Sequence, residues 1–174
     1  IICTPSDENE ARHLLTTAYL HKGPASVRYP RGTGPNTKIN EDLDPFDIGK
    51  AKLIVKGNPK IIILNFGALI EEAKEVANSL ELTLIDMRFV KPLDEEILKE
   101  YLSKADWFIT IEDGSIMGGA GSSIQEFCSK EGINIKSILF GIPDKFIEHA
   151  SREEMIEDAG LSANKIRSKL KKLL

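Results

Sequence analysis

This sequence is poor in cysteine and in aromatic residues. Two of its 174 residues are cysteine, and Phe, Trp and Tyr together make up 6%. Cys3 and Cys128 lie far apart with no CxxC spacing, which excludes a disulfide scaffold or a zinc ribbon. They read as small apolar fillers in a reducing, cytoplasmic setting. Basic excess is missing too. Lys and Arg number 23 against 27 Asp and Glu, a net charge of −4. Nucleic acid is therefore not an expected partner, because its binding needs a dense positive face. No apolar run approaches the ~20 residues of a membrane span, so no membrane partner is expected. The opening Ile1-Ile2-Cys3-Thr4-Pro5 has neither the basic start nor the long apolar stretch of a signal peptide. It also lacks an initiating Met and looks like the tail of a buried strand, so the chain is expected to be cut from a longer protein.

What is present is ordinary for a globular protein: 41% hydrophobic and 29% charged residues. The length suits one domain plus a short extra segment. Ser6 is the expected N-cap of a helix, followed by acidic Asp7, Glu8 and Glu10 at its positive end. Ala11, Leu14, Leu15, Ala18 and Tyr19 form its apolar face. Gly23-Pro24 should stop it, and a short strand is expected over 25–29. Residues 33–47 are rich in Gly, Pro, Asn and Asp and poor in apolar side chains. They are the expected linker between residues 1–32 and a domain over 48–174.

Beyond the linker, strands and helices alternate. Strands are expected at 51–55, 61–66, 82–87, 107–111 and 133–140. The helices between them are marked by Leu69, Ala73, Val76, Ala77 and Leu80, by Ile97, Leu98, Tyr101 and Leu102, and by Ile124, Phe127 and Cys128. A closing helix carries Ile166, Leu170 and Leu173. This pattern predicts an α/β fold, with a five-stranded, mostly parallel sheet and helices on both faces. Only about five residues around Gly57-Asn58-Pro59 join the first two strands, too few for a parallel crossover. The first strand should therefore be an antiparallel edge strand.

Several groups of residues could carry chemistry. In Ser26-Val27-Arg28-Tyr29-Pro30-Arg31-Gly32 the strand ends at Pro30, so Arg31 can project from a loop. Its planar fork of donors suits a phosphate or a carboxylate. An internal salt bridge is the plainer alternative for Arg31, and the expected role for Arg28. Met117-Gly118-Gly119-Ala120-Gly121-Ser122 opens a helix, where backbone N–H groups can hold an anion. Its spacing matches no nucleotide-binding motif, so close packing against the sheet or another subunit is expected instead. Asp86 to Asp94 reads as a strand–helix connection held by its own charges, with Asp94 as N-cap. His13, His21 and His149 lack metal-ligand spacing and are expected at the surface. Ser122 and Ser123 lack a nucleophile-elbow context. Lys165, Arg167, Lys169, Lys171 and Lys172 read as a solvated helix face.

The ordered combination is more specific than its parts. Thr4-Pro5-Ser6-Asp7-Glu8-Asn9-Glu10, Val27–Gly32, Asp86–Asp94, Ile116–Ser122 and Gly141-Ile142-Pro143-Asp144 occur in this order. Together they resemble the C-terminal third of the 1-deoxy-D-xylulose-5-phosphate synthase family over essentially the whole chain. Transketolase and the pyruvate dehydrogenase beta subunit share the general layout. The resemblance implies a three-layer α/β/α transketolase C-terminal-type domain, preceded by the end of a pyrimidine-binding domain. It implies a homodimeric parent enzyme with thiamine diphosphate and Mg²⁺. That enzyme joins pyruvate to glyceraldehyde 3-phosphate with loss of CO₂, the first step of non-mevalonate isoprenoid synthesis.

On this resemblance Arg31 matches the arginine for the aldehyde's phosphate group. No catalytic, cofactor-binding or metal-binding residue transfers, and the chain alone is expected to be inactive. Glu112-Asp113-Gly114 with Asn134 is a decoy for the family's Gly-Asp-Gly…Asn signature. The first Gly is missing and the interval is short. Two alternatives stand beside this reading: a partner-docking domain of a dehydrogenase-type beta subunit, and a nucleotide-binding module using Gly118–Gly121.

Overall fold

The structure, a computed structural model, describes residues 1–173. In chain order the elements are β1 (Ile2–Cys3), α1 (Glu8–Leu20), β2 (Ser26–Val27), β3 (Lys52–Val55), β4 (Asn58–Phe66), α2 (Ile70–Leu80) and β5 (Leu82–Asp86). Then follow β6 (Phe89–Lys91), α3 (Glu95–Leu102), β7 (Trp107–Ser115), α4 (Ala120–Glu131), β8 (Lys136–Ile142), α5 (Arg152–Asp158) and α6 (Ala163–Leu173).

The main sheet has the order β3-β5-β4-β7-β8. β5, β4, β7 and β8 are mutually parallel, and β3 runs antiparallel at the edge. The edge strand pairs with β5 rather than with its sequence neighbour β4. The turn between β3 and β4 makes that possible by lying tight against the chain before β5. A Cβ at Gly57 would run into the backbone of Glu81 and Leu82, and the Gly57 N–H donates to Thr83 Oγ1 at 3.2 Å.

Side-chain alternation divides the core into two layers. Ile63, Leu84, Ile109, Ile111 and Phe140 pack against α2 and α6. Ile62, Leu64, Phe66, Ile85 and Phe108 pack on the opposite face, with Leu98 and Leu102 of α3 and Ile124 and Phe127 of α4. All five residues of β5 are buried, as expected for a strand covered on both faces. Both cysteines are buried and free.

A small second sheet, β2-β1-β6, attaches residues 1–27 to the larger unit. β1 pairs parallel with β2 and antiparallel with β6. Cys3, Leu14 and Phe89 form its own buried cluster. β6 is a strand that the sequence pattern did not reveal, because three residues are too short to show alternation.

Residues 28–51 contain no helix or strand but are far from free. They run along α1 through backbone bonds to its side chains. The N–H groups of Asn36 and Thr37 donate to Glu8, that of Asn40 to Asn9, and that of Phe46 to Thr17 Oγ1 at 2.8 Å.

Three local expectations need correction. The N-cap of α1 is Asp7, whose side chain accepts from the Glu10 N–H at 2.8 Å. Ser6 instead donates to Asp86 Oδ2 at 2.6 Å and ties the chain to β5. His13 is buried: its Nδ1 lies 2.7 Å from the Asp44 carbonyl and its ring stacks on Phe46. The last sheet strand starts at Lys136 rather than 133. Gly132 ends α4 in the left-handed conformation, and Ile133 and Ile135 are drawn into the apolar layer beneath.

Candidate functional site

Arg31 lies four residues beyond β2, on an exposed stretch between Pro30 and Gly32. It lines a pocket of about 420 Å³. One wall is the start of α1, from Pro5 to Glu8 with Ala11 and Leu15. A second is the chain from Tyr29 to Pro35. Ala68, Glu71 and Glu72 at the start of α2 and Arg152 at the start of α5 complete it. Glu8 fixes the second wall by accepting the N–H groups of Asn36 at 2.8 Å and Thr37 at 3.2 Å. Its carboxyl is held below the usual range by its own backbone N–H, against some desolvation, and then by these two donors.

The two arginines of the motif separate in role. Arg28 Nη1 meets Asp113 Oδ1 at 3.2 Å and Nη2 donates to the Asp113 carbonyl at 2.9 Å, an internal tie from β2 to β7. Among the described residues, no carboxylate oxygen lies within 4.0 Å of the Arg31 guanidinium. The fold thus uses Arg28 internally and leaves Arg31 facing a pocket.

The glycine cluster has a different purpose. The Glu112 carboxylate turns into the N-terminus of α4 and accepts the N–H groups of Ala120 at 2.8 Å and Gly121 at 2.9 Å. An anion of the protein itself therefore holds the place that a ligand phosphate would need. The glycines make room for it. A Cβ at Gly121 would lie 2.6 Å from Thr110 Oγ1, and one at Gly119 would lie 2.6 Å from Glu112 Oε2. This corrects the nucleotide-module alternative, since Gly118–Gly121 has its anion already. Burial raises the Glu112 carboxyl above its usual range, with the Gly121 and Ala120 N–H groups pulling it back down. Replacing Glu112 with alanine strands both donors in a buried position. The expected loss is about 2 kcal/mol of unfolding free energy. Urea titration measures it, and a loss of under about 0.5 kcal/mol, the scatter of neutral surface changes, would count against the capping role.

Thiamine diphosphate and Mg²⁺ do not fit these residues. Glu112 is committed to α4 and Asp113 to Arg28, so Glu112-Asp113-Gly114 has no free carboxylate for a metal–pyrophosphate group. Among the described residues, no group of three or more His, Cys, Asp or Glu side chains is placed to hold a metal ion. No helix among them is long and apolar enough to cross a membrane.

Arg152 escaped the sequence reading, although a signal for its helix was there. Ser151 and Glu154 form a reciprocal capping box, a spacing visible in the sequence. No apolar stripe marked α5, which buries no residue fully.

Comparison with known proteins gives concordant results. The family described as "Transketolase, C-terminal domain" matches residues 49–166. A 1-deoxy-D-xylulose-5-phosphate synthase of Pseudomonas aeruginosa (strain LESB58) is 48% identical over 163 residues, covering 94% of this chain and 26% of that protein. The synthase of Stutzerimonas stutzeri (strain A1501) is 47% identical over 174 residues, all of this chain and 27% of that protein. This chain therefore spans about a quarter of the length of the curated relatives it matches. A solved structure titled "Split gene transketolase, inactive beta4 tetramer" superposes with TM-score 0.83 at 25% identity, covering 98% of this chain and 56% of that one. Transketolase from Campylobacter jejuni shares the fold with TM-score 0.68 at 20% identity, covering 97% of this chain and 25% of that one.

Proposed function

Because this chain belongs to the family of the transketolase C-terminal domain, we propose that it works as the C-terminal part of a 1-deoxy-D-xylulose-5-phosphate synthase. In that reading the whole enzyme condenses pyruvate with glyceraldehyde 3-phosphate to 1-deoxy-D-xylulose 5-phosphate and CO₂. It acts as a cytoplasmic homodimer in a bacterial-type isoprenoid route. Residues 1–32 form the end of its pyrimidine-binding domain, 33–47 the link, and 48–174 the C-terminal domain. Thiamine diphosphate with Mg²⁺ supplies the decarboxylating chemistry from a site built elsewhere in the enzyme. This chain alone is inert.

The role proposed for this chain's own residues is substrate binding through Arg31. The observation that carries it is an exposed guanidinium without a carboxylate partner, facing a pocket of about 420 Å³. A guanidinium presents fixed paired donors to two oxygens of a phosphomonoester and keeps its charge at any physiological pH. Arg31 would thus anchor the aldehyde substrate by the end that does not react. Remote anchoring of this kind helps orient the reacting end.

The test uses the full-length product of the gene that encodes this chain. Arg31→Ala should raise KM for glyceraldehyde 3-phosphate by at least about tenfold, the value of a charge-assisted hydrogen bond. KM for pyruvate should change far less. Equal effects on both substrates would contradict the phosphate role.

A further inference from the structure

Arg152 shares the Arg31 pocket and comes from a different part of the chain. It is the first residue of α5, and the Ser151–Glu154 capping box fixes the backbone there. The side chain is half-buried, yet no carboxylate oxygen among the described residues lies within 4.0 Å of its guanidinium. Opposite charge is not scarce nearby, since Asp7, Glu8, Glu71 and Glu72 line the same pocket. Three of these are committed elsewhere. Asp7 caps α1, Glu8 holds Asn36 and Thr37, and Glu71 pairs with Lys74 at 2.8 Å.

Arg31 and Arg152 thus bring two guanidiniums without carboxylate partners to the border of one pocket, where an anion that reached both would accept from both. The anion that suits them best carries about two negative charges and three acceptor oxygens, as a phosphomonoester does. A carboxylate such as that of pyruvate offers one charge and two oxygens, which a single arginine satisfies.

We propose that Arg152 is a second phosphate-binding residue, which donates to the phosphomonoester together with Arg31 and makes the pocket selective for a dianionic over an uncharged substrate end. This inference rests on the phosphate role of Arg31. It adds that the C-terminal domain itself reaches the substrate, through a residue outside every motif that carried the family resemblance.

The experiment compares kcat/KM for D-glyceraldehyde 3-phosphate with that for unphosphorylated D-glyceraldehyde, in the full-length enzyme with pyruvate saturating. The variants are Arg31→Ala, Arg152→Gln and Arg152→Lys. Arg152→Gln should lower the ratio of the two constants by about tenfold, the effect of one charge-assisted contact. Arg152→Lys should lower it less, because the charge remains while the fork is lost.

If Arg31→Ala lowers the ratio and Arg152→Gln does not, the inference about Arg152 is overturned and the Arg31 reading stands. If neither variant changes it, both readings fall. If Arg152→Gln lowers both constants in proportion, the residue has only a structural role and the inference is again overturned. A lowered ratio with a smaller effect of Arg152→Lys supports it.

Discussion

Replacing Arg88 with alanine should lower the stability of the protein by about 3–5 kcal/mol, and should loosen α1 before anything else. Arg88 Nε donates to Glu10 Oε2 at 2.7 Å and Nη2 to Glu10 Oε1 at 2.8 Å. The side chains are 13% and 4% exposed. Arg88 also lies over the Phe46 ring, 3.9 Å from its centroid. Exposed ion pairs contribute little, but removing one partner of a buried pair leaves a charge that neither water nor protein neutralises. Lys52, 3.2 Å from Glu10 and half exposed, can offset only part of that.

The expected loss is large against the 5–15 kcal/mol that holds a typical domain together. It should fall first on the N-terminal segment. β1 and β2 have two residues each, so few backbone hydrogen bonds hold residues 1–27 to the main unit. Amide exchange in α1 should therefore accelerate by at least about a hundredfold, a conservative share of the predicted energy. The double variant Arg88→Met with Glu10→Gln should recover part of the loss, because no buried charge is then left alone. Unchanged exchange in α1 with uniform weakening elsewhere would show that the pair does not hold this segment.

The second large effect is a dependence on pH. Asp86 is fully buried at the end of β5, and its carboxyl is pushed up to about 6. Desolvation is the main cause. The Ser6 hydroxyl opposes it, Glu10 adds to it, and Arg88 offsets part of it. Lys52 is the β3 residue in register with Asp86, and Asn65 is its partner on β4. Asp86 Oδ1 and Asn65 Oδ1 are both buried acceptors with no partner among the described residues. Protonation gives Asp86 a hydrogen-bond donor that its ionised form lacks.

The folded state thus binds this proton more tightly than the unfolded chain, whose value is 3.8. Stability from this group is complete below about pH 4 and declines as pH rises toward about 6. The total change is about 3 kcal/mol at 1.36 kcal/mol per pH unit. Asp86→Asn keeps the shape, keeps an acceptor for Ser6 and supplies a permanent donor. It should be more stable than the parent at pH 7, with the advantage shrinking toward pH 4. Urea unfolding of both proteins at several pH values gives the difference directly, free of contributions from Glu112 and other groups. Parallel curves from pH 4 to 7 would mean that Asp86 ionises as readily folded as unfolded.

Much of this architecture was legible from local pattern. Ile61–Phe66 read as a doubly covered strand because its residues are apolar apart from Asn65, and Leu82–Met87 read as the strand that follows it. The antiparallel edge strand followed from a connection too short to cross a sheet. The α2 and α6 stripes followed from spacing alone. Arg31 stood out because Pro30 ends the strand beneath it, and the ordered motifs pointed to the family.

Other features had no local signature. Nothing in the spacing of Glu10 and Arg88, or of Ser6 and Asp86, marks them as partners, because contacts between residues about 80 apart depend on how the layers stack. His13 looked like a surface residue until the 33–47 segment was laid over α1. Glu112 preceded a glycine cluster that could equally have held a ligand, and only the path of β7 into α4 turns its carboxylate onto those N–H groups. Composition and periodicity by themselves determined the layers and the strand directions, and left Arg31 between an anion and an internal salt bridge. The tertiary structure alone decided which charges are spent inside the fold and which still face a pocket, since that depends on distances that sequence separation does not encode.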